Sequence, residues 1–269
     1  MFLLVTRNNS ANWRQQTQIA KQLIDEGVIG EVKQIVTAMG SPLQHLFEDP
    51  NSGSWIRLPN GEMSGFGWGQ LSHTIAWILL VTGVVPETAF CFMTPSTKSG
   101  ADIYNAGSIR CSNGCLISIS GTATTSPDYC ASVPTLDNDE DKDISDSSGY
   151  THTKTNTKHR HGKHIDNKIF GSEGMLLYSG DDADSSSGCL SVSRLDGSRN
   201  EAFPELGGFL FENTAHADEG GMPESLASFV AACNGLPYWS GAPSALGLMV
   251  VRTVDALYRS AKSGQPQVV

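Results

Sequence analysis

No apolar run in this 269-residue chain reaches the ~18–20 residues that a membrane span needs. The opening Met1–Val5 is apolar but breaks at Arg7-Asn8-Asn9-Ser10, too short for a signal-peptide core. Cysteine is sparse. Cys91, Cys111, Cys115, Cys130, Cys189 and Cys233 lie in apolar or strand-like runs and form no dense scaffold. They read as buried thiols of a reducing compartment, so a soluble, cytoplasmic protein is expected. Basic residues are outnumbered, 18 Lys and Arg against 28 Asp and Glu, for a formal charge of −10. A negative surface repels phosphate backbones and argues against nucleic acid as a partner. No G-x-G-x-x-G turn occurs, the pattern that lets backbone approach a pyrophosphate. Gly65-Phe66-Gly67-Trp68-Gly69 has the wrong spacing and precedes an apolar helix. No Ser/His/Asp hydrolase signature and no internal repeat stands out.

What is present reads as an ordinary globular chain, 39% hydrophobic and long enough for a sizeable core. Phe2–Thr6 predicts a short buried strand. A helix follows, capped by Asn9 or Ser10, with Trp13, Thr17, Ala20 and Ile24 at helical spacing and Gly27 at its end. Glu31–Met39 is a strand, and Ser41–Ser64, rich in Pro, Gly and Asn, a loop. Gln70–Thr82 is apolar on both faces, the mark of a buried helix. Strands are expected at Val85–Met93, Ala106–Cys111 and Cys115–Thr122, the last two joined by an Asn113-Gly114 hairpin turn. Three more fall at Lys168–Gly171, Met175–Tyr178 and Cys189–Leu195, with turns at Gly174 and around Asp181–Gly188. Strands in series without helices between them predict an antiparallel sheet. Two helices close the chain. The first opens at Pro223, with Leu226, Phe229, Val230 and Cys233 at core spacing. The second is Ser244–Ser263, with Leu248, Val251, Asp255 and Tyr258 on or near one stripe and Gly264 at its end.

One segment does not fit a sheet. Residues 136–164 run from acidic to basic and His-rich with few apolar residues, and read as a disordered insertion in a loop. His152, His159, His161 and His164 resemble a metal tract, but zinc wants ligands fixed on a scaffold, so no designed metal site is expected. Asp137, Asp139 and Asp141 suggest a calcium loop, which Lys142 and Ser148 spoil at the glycine and closing glutamate positions. Cys111 and Cys115, flanking the hairpin turn, read as packing residues, with a disulfide or metal pair as the alternative.

The run Gln22-Leu23-Ile24-Asp25-Glu26-Gly27-Val28-Ile29-Gly30-Glu31-Val32 resembles a hallmark of the glucose–fructose oxidoreductase / inositol dehydrogenase (Gfo/Idh/MocA) family. There it marks the junction between the nucleotide-binding fold and the sheet domain. The resemblance continues through Gly65–Trp77, the Asn113-Gly114 hairpin, the run Ile169-Phe170-Gly171-Ser172-Glu173-Gly174-Met175-Leu176, and the closing Ser260-Ala261-Lys262-Ser263-Gly264. It implies an α+β architecture: a predominantly antiparallel open sheet with helices on one face, preceded by the remnant of a Rossmann domain. Residues 1–30 would be that remnant and residues 31–269 the sheet domain. A family member of full size carries roughly another hundred residues of Rossmann fold before this point. The family's Glu-Lys-Pro motif is absent, since the chain has no Lys-Pro pair. The expectation is therefore a truncated product, a fragment or a descendant without its cofactor domain.

The family implies NAD or NADP as cofactor, although binding by this chain is doubtful without the fingerprint. It also implies a sugar-like hydroxyl substrate and a homo-oligomer built through the free face of the sheet. Its D-x-G-x-H-x-x-D helix maps onto Gly69, Leu71, His73 and Ala76, so His73 is the candidate acid/base and both acidic partners are lost. Trp68 and Gln70 are candidate polyol contacts, against a packed turn whose glycines let helix and sheet approach. Arg7, Asn8 and Arg14 are candidates for a substrate carboxylate or phosphate. Lys98, Asp102 and Tyr104 are candidates from the loop and strand that would reach the same cleft. The alternative to an oxidoreductase is a non-catalytic ligand-binding or oligomerisation module of the same descent.

Overall fold

The structure is a computed structural model that describes residues 10–48, 64–125, 164–180, 189–198, 209–210 and 222–269. The expected strand Phe2–Thr6, the candidates Arg7 and Asn8, and the insertion up to residue 163 lie outside the described residues.

A short 3₁₀ turn, Ser10–Trp13, leads into α1 (Gln15–Asp25). Arg14, in extended conformation, stands at its N-cap, so the helix starts later than the expected cap at Asn9 or Ser10. Gln16, Thr17, Ala20 and Leu23 are its buried residues; Trp13 of the preceding turn is buried with them, whereas Ile24 is only half-buried. Gly27 takes φ +71° just past the end, a conformation that side chains with a Cβ rarely adopt. Strand β1 (Val32–Gly40) follows, then α2 (Gln44–Glu48), a single helical turn within the segment expected to be loop.

A π-type turn at Gly67–Leu71 opens α3 (Ser72–Thr82), which ends at left-handed Gly83. Residues Thr74–Leu79 and Val81 are all buried, as expected of a helix without a polar face. The remaining strands are β2 (Pro86–Pro95), β3 (Asp102–Cys111), β4 (Leu116–Thr122), β5 (His164–Gly171), β6 (Gly174–Gly180), β7 (Cys189–Arg194) and the two-residue β8 (Phe209–Leu210). Helices α4 (Met222–Cys233) and α5 (Ser244–Ser263) and the short β9 (Gln267–Val268) complete the order.

The nine strands form one sheet in the order β8-β7-β6-β5-β1-β4-β3-β2-β9. Every pairing is antiparallel except that of β1 with β4. The β3–β4 hairpin turns at Asn113-Gly114 as expected, with Gly114 at φ +82°. Gly174 belongs to strand β6; the turn itself is Ser172-Glu173. That turn meets the Gly27–Glu31 corner: Ser172 N–H donates to the Glu31 carbonyl at 3.0 Å and Glu173 N–H to the Ile29 carbonyl at 2.9 Å. Two of the sequence runs that carry the family resemblance are thus in direct contact.

Alternation sorts the sheet's faces. Ile35, Thr37, Met39, Ile109, Ile117, Ile119, Ile165, Asn167, Ile169, Leu176 and Tyr178 point under the helices and are buried. Val36, Phe92, Tyr104 and Leu116 stand exposed on the other face. Helices α1, α3 and α5 pack side by side over the first face, and residues from α1 to α5 share one apolar core.

The expected inward stripe of α4 is corrected here. Leu226 is 63% exposed, Phe229 41% and Val230 50%, and Cys233 is exposed too. The spacing of these residues is helical, but no described element covers the stripe. On α5 the buried side is Leu246, Val250, Thr253, Val254, Ala256, Leu257 and Ser260, while Leu248 and Val251 face outward. Apolar residues occur on both sides of α5, so periodicity alone did not select the packed one.

Candidate functional site

The residues between Ser64 and His73 enter α3 through the π-type turn. Such a turn carries an extra residue relative to an α-helix, and it needs outside partners for the backbone N–H groups at the start of the helix. No side chain of the turn's own N-cap supplies one. Partners come instead from β3 and α5. The carboxylate of Asp102, 5% exposed, accepts from Gly67 N–H at 2.8 Å and from Asn105 Nδ2 at 2.9 Å. Its other oxygen accepts from the Tyr258 hydroxyl. Tyr258 Oη in turn accepts from Trp68 N–H at 3.2 Å, and the Trp68 indole stacks on the phenol ring at 5.5 Å and 21°. A Cβ on Gly67 would lie 2.8 Å from the Tyr258 ring, and one on Gly65 would run into Asp102. The glycines of this turn thus permit close approach, as one reading of the sequence held.

Electrostatics follow from that burial. Removal from water pushes the Asp102 carboxyl above its ordinary value, with the donors from Tyr258, Gly67 and Asn105 opposing the rise. Burial, and then the Asp102 charge, push the Tyr258 phenol upward.

Beneath α3 lies a second polar layer. Asn167 Oδ1 on β5 accepts from the Thr37 hydroxyl and, at 3.2 Å, from Thr74; the two threonine hydroxyls are 2.8 Å apart. Trp77 Nε1 donates to Thr17 Oγ1 at 2.9 Å and its ring packs on Tyr178 at 4.3 Å. Arg14, buried, donates through Nη1 to the Tyr178 hydroxyl at 3.1 Å.

Trp68, Gln70 and His73 fall together on this one segment. Trp68 and His73 are half-buried, whereas Gln70 is buried, with an Oε1 that has no hydrogen-bond partner among the described residues. A buried amide oxygen without a donor is uncommon and calls for an explanation. Arg14 sits in the packed layer on Tyr178. Asp102 spends its oxygens on its own chain. Lys98 is exposed and pairs with Glu48 at the end of α2, at 2.9 Å; that ammonium is the main cause of the lowered Glu48 pKa. Tyr104 lies on the sheet face opposite α3. Trp68, Gln70 and His73 thus share one segment, Asp102 holds that segment's backbone, and Arg14, Lys98 and Tyr104 lie elsewhere.

Sequence reasoning overlooked Tyr258, Asn105 and Asn167 as parts of this region. For Tyr258 a signal existed: a tyrosine beside the packed stripe of a helix has a hydroxyl that must find a partner.

Other features of the molecule compete weakly. An open hollow of about 400 Å³ lies at the strand ends of β1, β4 and β5, lined by Gly40, Ser120, Thr122, Thr124 and His164. Cys111 and Cys115 are free, buried cysteines opposite each other at the hairpin end, where Cys111 N–H donates to the Cys115 carbonyl at 2.9 Å. Among the described residues no group of three or more His, Cys, Asp or Glu stands close enough to hold a metal ion. No described helix is long and apolar enough to cross a membrane.

Comparison with known proteins gives the context. Residues 17–140 match the family model of the GFO/IDH/MocA C-terminal domain. No curated protein matches the chain. The WlbA dehydrogenase from Bordetella pertussis, solved with NADH and UDP-GlcNAcA, has a TM-score of 0.67 at 15% identity, over 97% of this chain and 63% of that one. An oxidoreductase from Agrobacterium radiobacter, solved with NAD+, L-tartaric acid and magnesium, gives 0.57 at 15% identity, over 97% and 64%. GenD2 from gentamicin A biosynthesis, solved with NAD, gives 0.61 at 14% identity, over 97% and 62%. The chain thus spans less than two thirds of the length of each of these structures, while nearly all of it shares their fold. Residues 17–140 are similar to the GFO/IDH/MocA C-terminal domain, and nearly the whole chain shares the α+β sheet fold of these solved oxidoreductases.

Proposed function

We propose that this chain is the substrate-side part of an NAD(P)-dependent oxidoreductase acting on a sugar, polyol or similar hydroxyl compound. On this reading residues 1–30 end a nucleotide-binding fold, residues 31–269 form the sheet domain, and the protein works in the cytoplasm. The observation that carries the reading is the segment Trp68–His73. A half-buried imidazole stands three residues from Gln70, whose buried amide oxygen has no donor among the described residues. A substrate hydroxyl can donate to Gln70 or give its proton to His73, while the Trp68 ring offers an apolar plate to a sugar C–H face.

The described residues do not fit a dinucleotide. They include no strand followed by a glycine-rich turn at a helix N-terminus, and no glycine fingerprint exists anywhere in the sequence. The nicotinamide cofactor of the family would therefore be held by other polypeptide. Self-association is proposed through the outer sheet face, where Val36, Phe92, Tyr104 and Leu116 are exposed.

Calorimetric titration of the 269-residue chain with a panel of inositols and aldoses tests the substrate-side reading, because the proposed hydroxyl contacts lie in this chain. Binding that is lost in His73→Ala and in Gln70→Ala supports it. Absence of binding by every one of these hydroxyl compounds refutes it.

A further inference from the structure

The opening of α3 is held from outside the helix. Of its first backbone donors, Gly67 N–H is taken by the Asp102 carboxylate of β3 and Trp68 N–H by the Tyr258 hydroxyl of α5. Those two side chains bond each other, and Asn105 braces the carboxylate from behind. The sequence leaves room for this arrangement only because residues 65 and 67 are glycines. The arrangement works as a helix cap supplied in trans, with an anion where the helix dipole favours one. A π-type turn shifts the phase of the residues before it relative to those after it, because it holds one residue more than an α-turn. Trp68 and Gln70 lie within the turn and His73 just beyond it, so their mutual orientation depends on the turn being kept.

We propose that Asp102 and Tyr258 are positioning residues, which fix from β3 and α5 the orientation in which Trp68, Gln70 and His73 are presented to a ligand. The assignment replaces direct ligand contact by Asp102 with indirect control. Its functional meaning rests on the reading of His73 given above; its test does not, because it reads structure and not turnover.

The test uses the whole chain, labelled with ¹⁵N for amide exchange and for histidine and tryptophan ring signals. Tyr258→Phe keeps the ring stacked on Trp68 and removes only the hydroxyl. The Trp68 amide is expected to exchange about tenfold faster, the worth of one net hydrogen bond. The Trp68 indole and His73 ring resonances are expected to shift with it. Val250→Ala, a cavity on the buried side of the same helix, serves as the destabilised control and is expected to leave those resonances in place. Asp102→Ala provides a second route: faster exchange at Gly67 with the same ring signals displaced. Ring signals unmoved in Tyr258→Phe and Asp102→Ala, or moved equally in Val250→Ala, overturn the proposal.

Discussion

Asp102 offers a quantitative test of the energetics around the π-type turn. Burial raises its carboxyl pKa above the ordinary value of 3.8, so the folded state holds the proton more tightly than the unfolded chain does. The sign follows from linkage. Between the unfolded value and the raised folded value the native state binds more protons, so this group's contribution makes stability fall as pH rises, then level off. Asp102→Asn removes that slope. The amide keeps one oxygen for the Gly67 and Asn105 donors. Its NH₂ faces Tyr258, whose hydroxyl can turn to the Ser64 carbonyl 3.3 Å away. With each bond replaced, the variant is expected to lie within ~1 kcal/mol of the parent at neutral pH. Asp102→Ala strands the Gly67 and Asn105 donors, each worth ~1–3 kcal/mol when buried without a partner, so a loss of about 2 kcal/mol or more is expected. Urea denaturation across the acidic to neutral range supplies the numbers. Glu48 and Asp196, whose pKa values are lowered, tilt the curve the other way, so the difference between parent and variant is the quantity to read. An Asn variant with the parent's full pH slope, or an Ala variant no weaker than Asn, refutes the reasoning.

Other outcomes are expected from the same structure. Trp77→Phe removes the bond to Thr17 and part of the ring packing on Tyr178, and is expected to lower stability by about 2–3 kcal/mol, read from the urea midpoint. Gly114→Ala meets no neighbouring atom, so its cost is purely conformational, about 1 kcal/mol, visible as a lower Tm. Lys98→Ala removes the main influence lowering Glu48, and NMR titration is expected to show that carboxyl moving upward. Phe229→Ser on the exposed stripe of α4 is expected to change stability by no more than ~0.5 kcal/mol, and a larger loss would mean that something covers that face.

Much of the architecture was legible because period and punctuation agreed locally. The alternation in β3 and β4 with Asn113-Gly114 between them, the α3 segment with apolar residues on both faces, and the glycine after α1 each name one conformation. The α4 stripe was misread because helical spacing reports amphipathicity and not what lies opposite. On α5 two apolar sides competed, and the sheet decided between them. The site was legible only as a segment. His73, Trp68 and Gln70 are near in sequence, so a motif could find them. The contacts holding the turn span 35 residues from Gly67 to Asp102 and 190 from Trp68 to Tyr258, beyond the reach of any local pattern.

Strand β1 has a particular burden. Its neighbours are β4, whose first paired residue lies some eighty positions downstream, and β5, more than a hundred and twenty away. A chain growing from its N-terminus must therefore hold this apolar strand with both edges bare until the β3–β4 hairpin emerges, and with one edge bare until β5 does. Pairings of such long range are slow to close, and refolding is expected to be limited by the arrival of these two partners. Expression yield would then be governed by how long β1 waits.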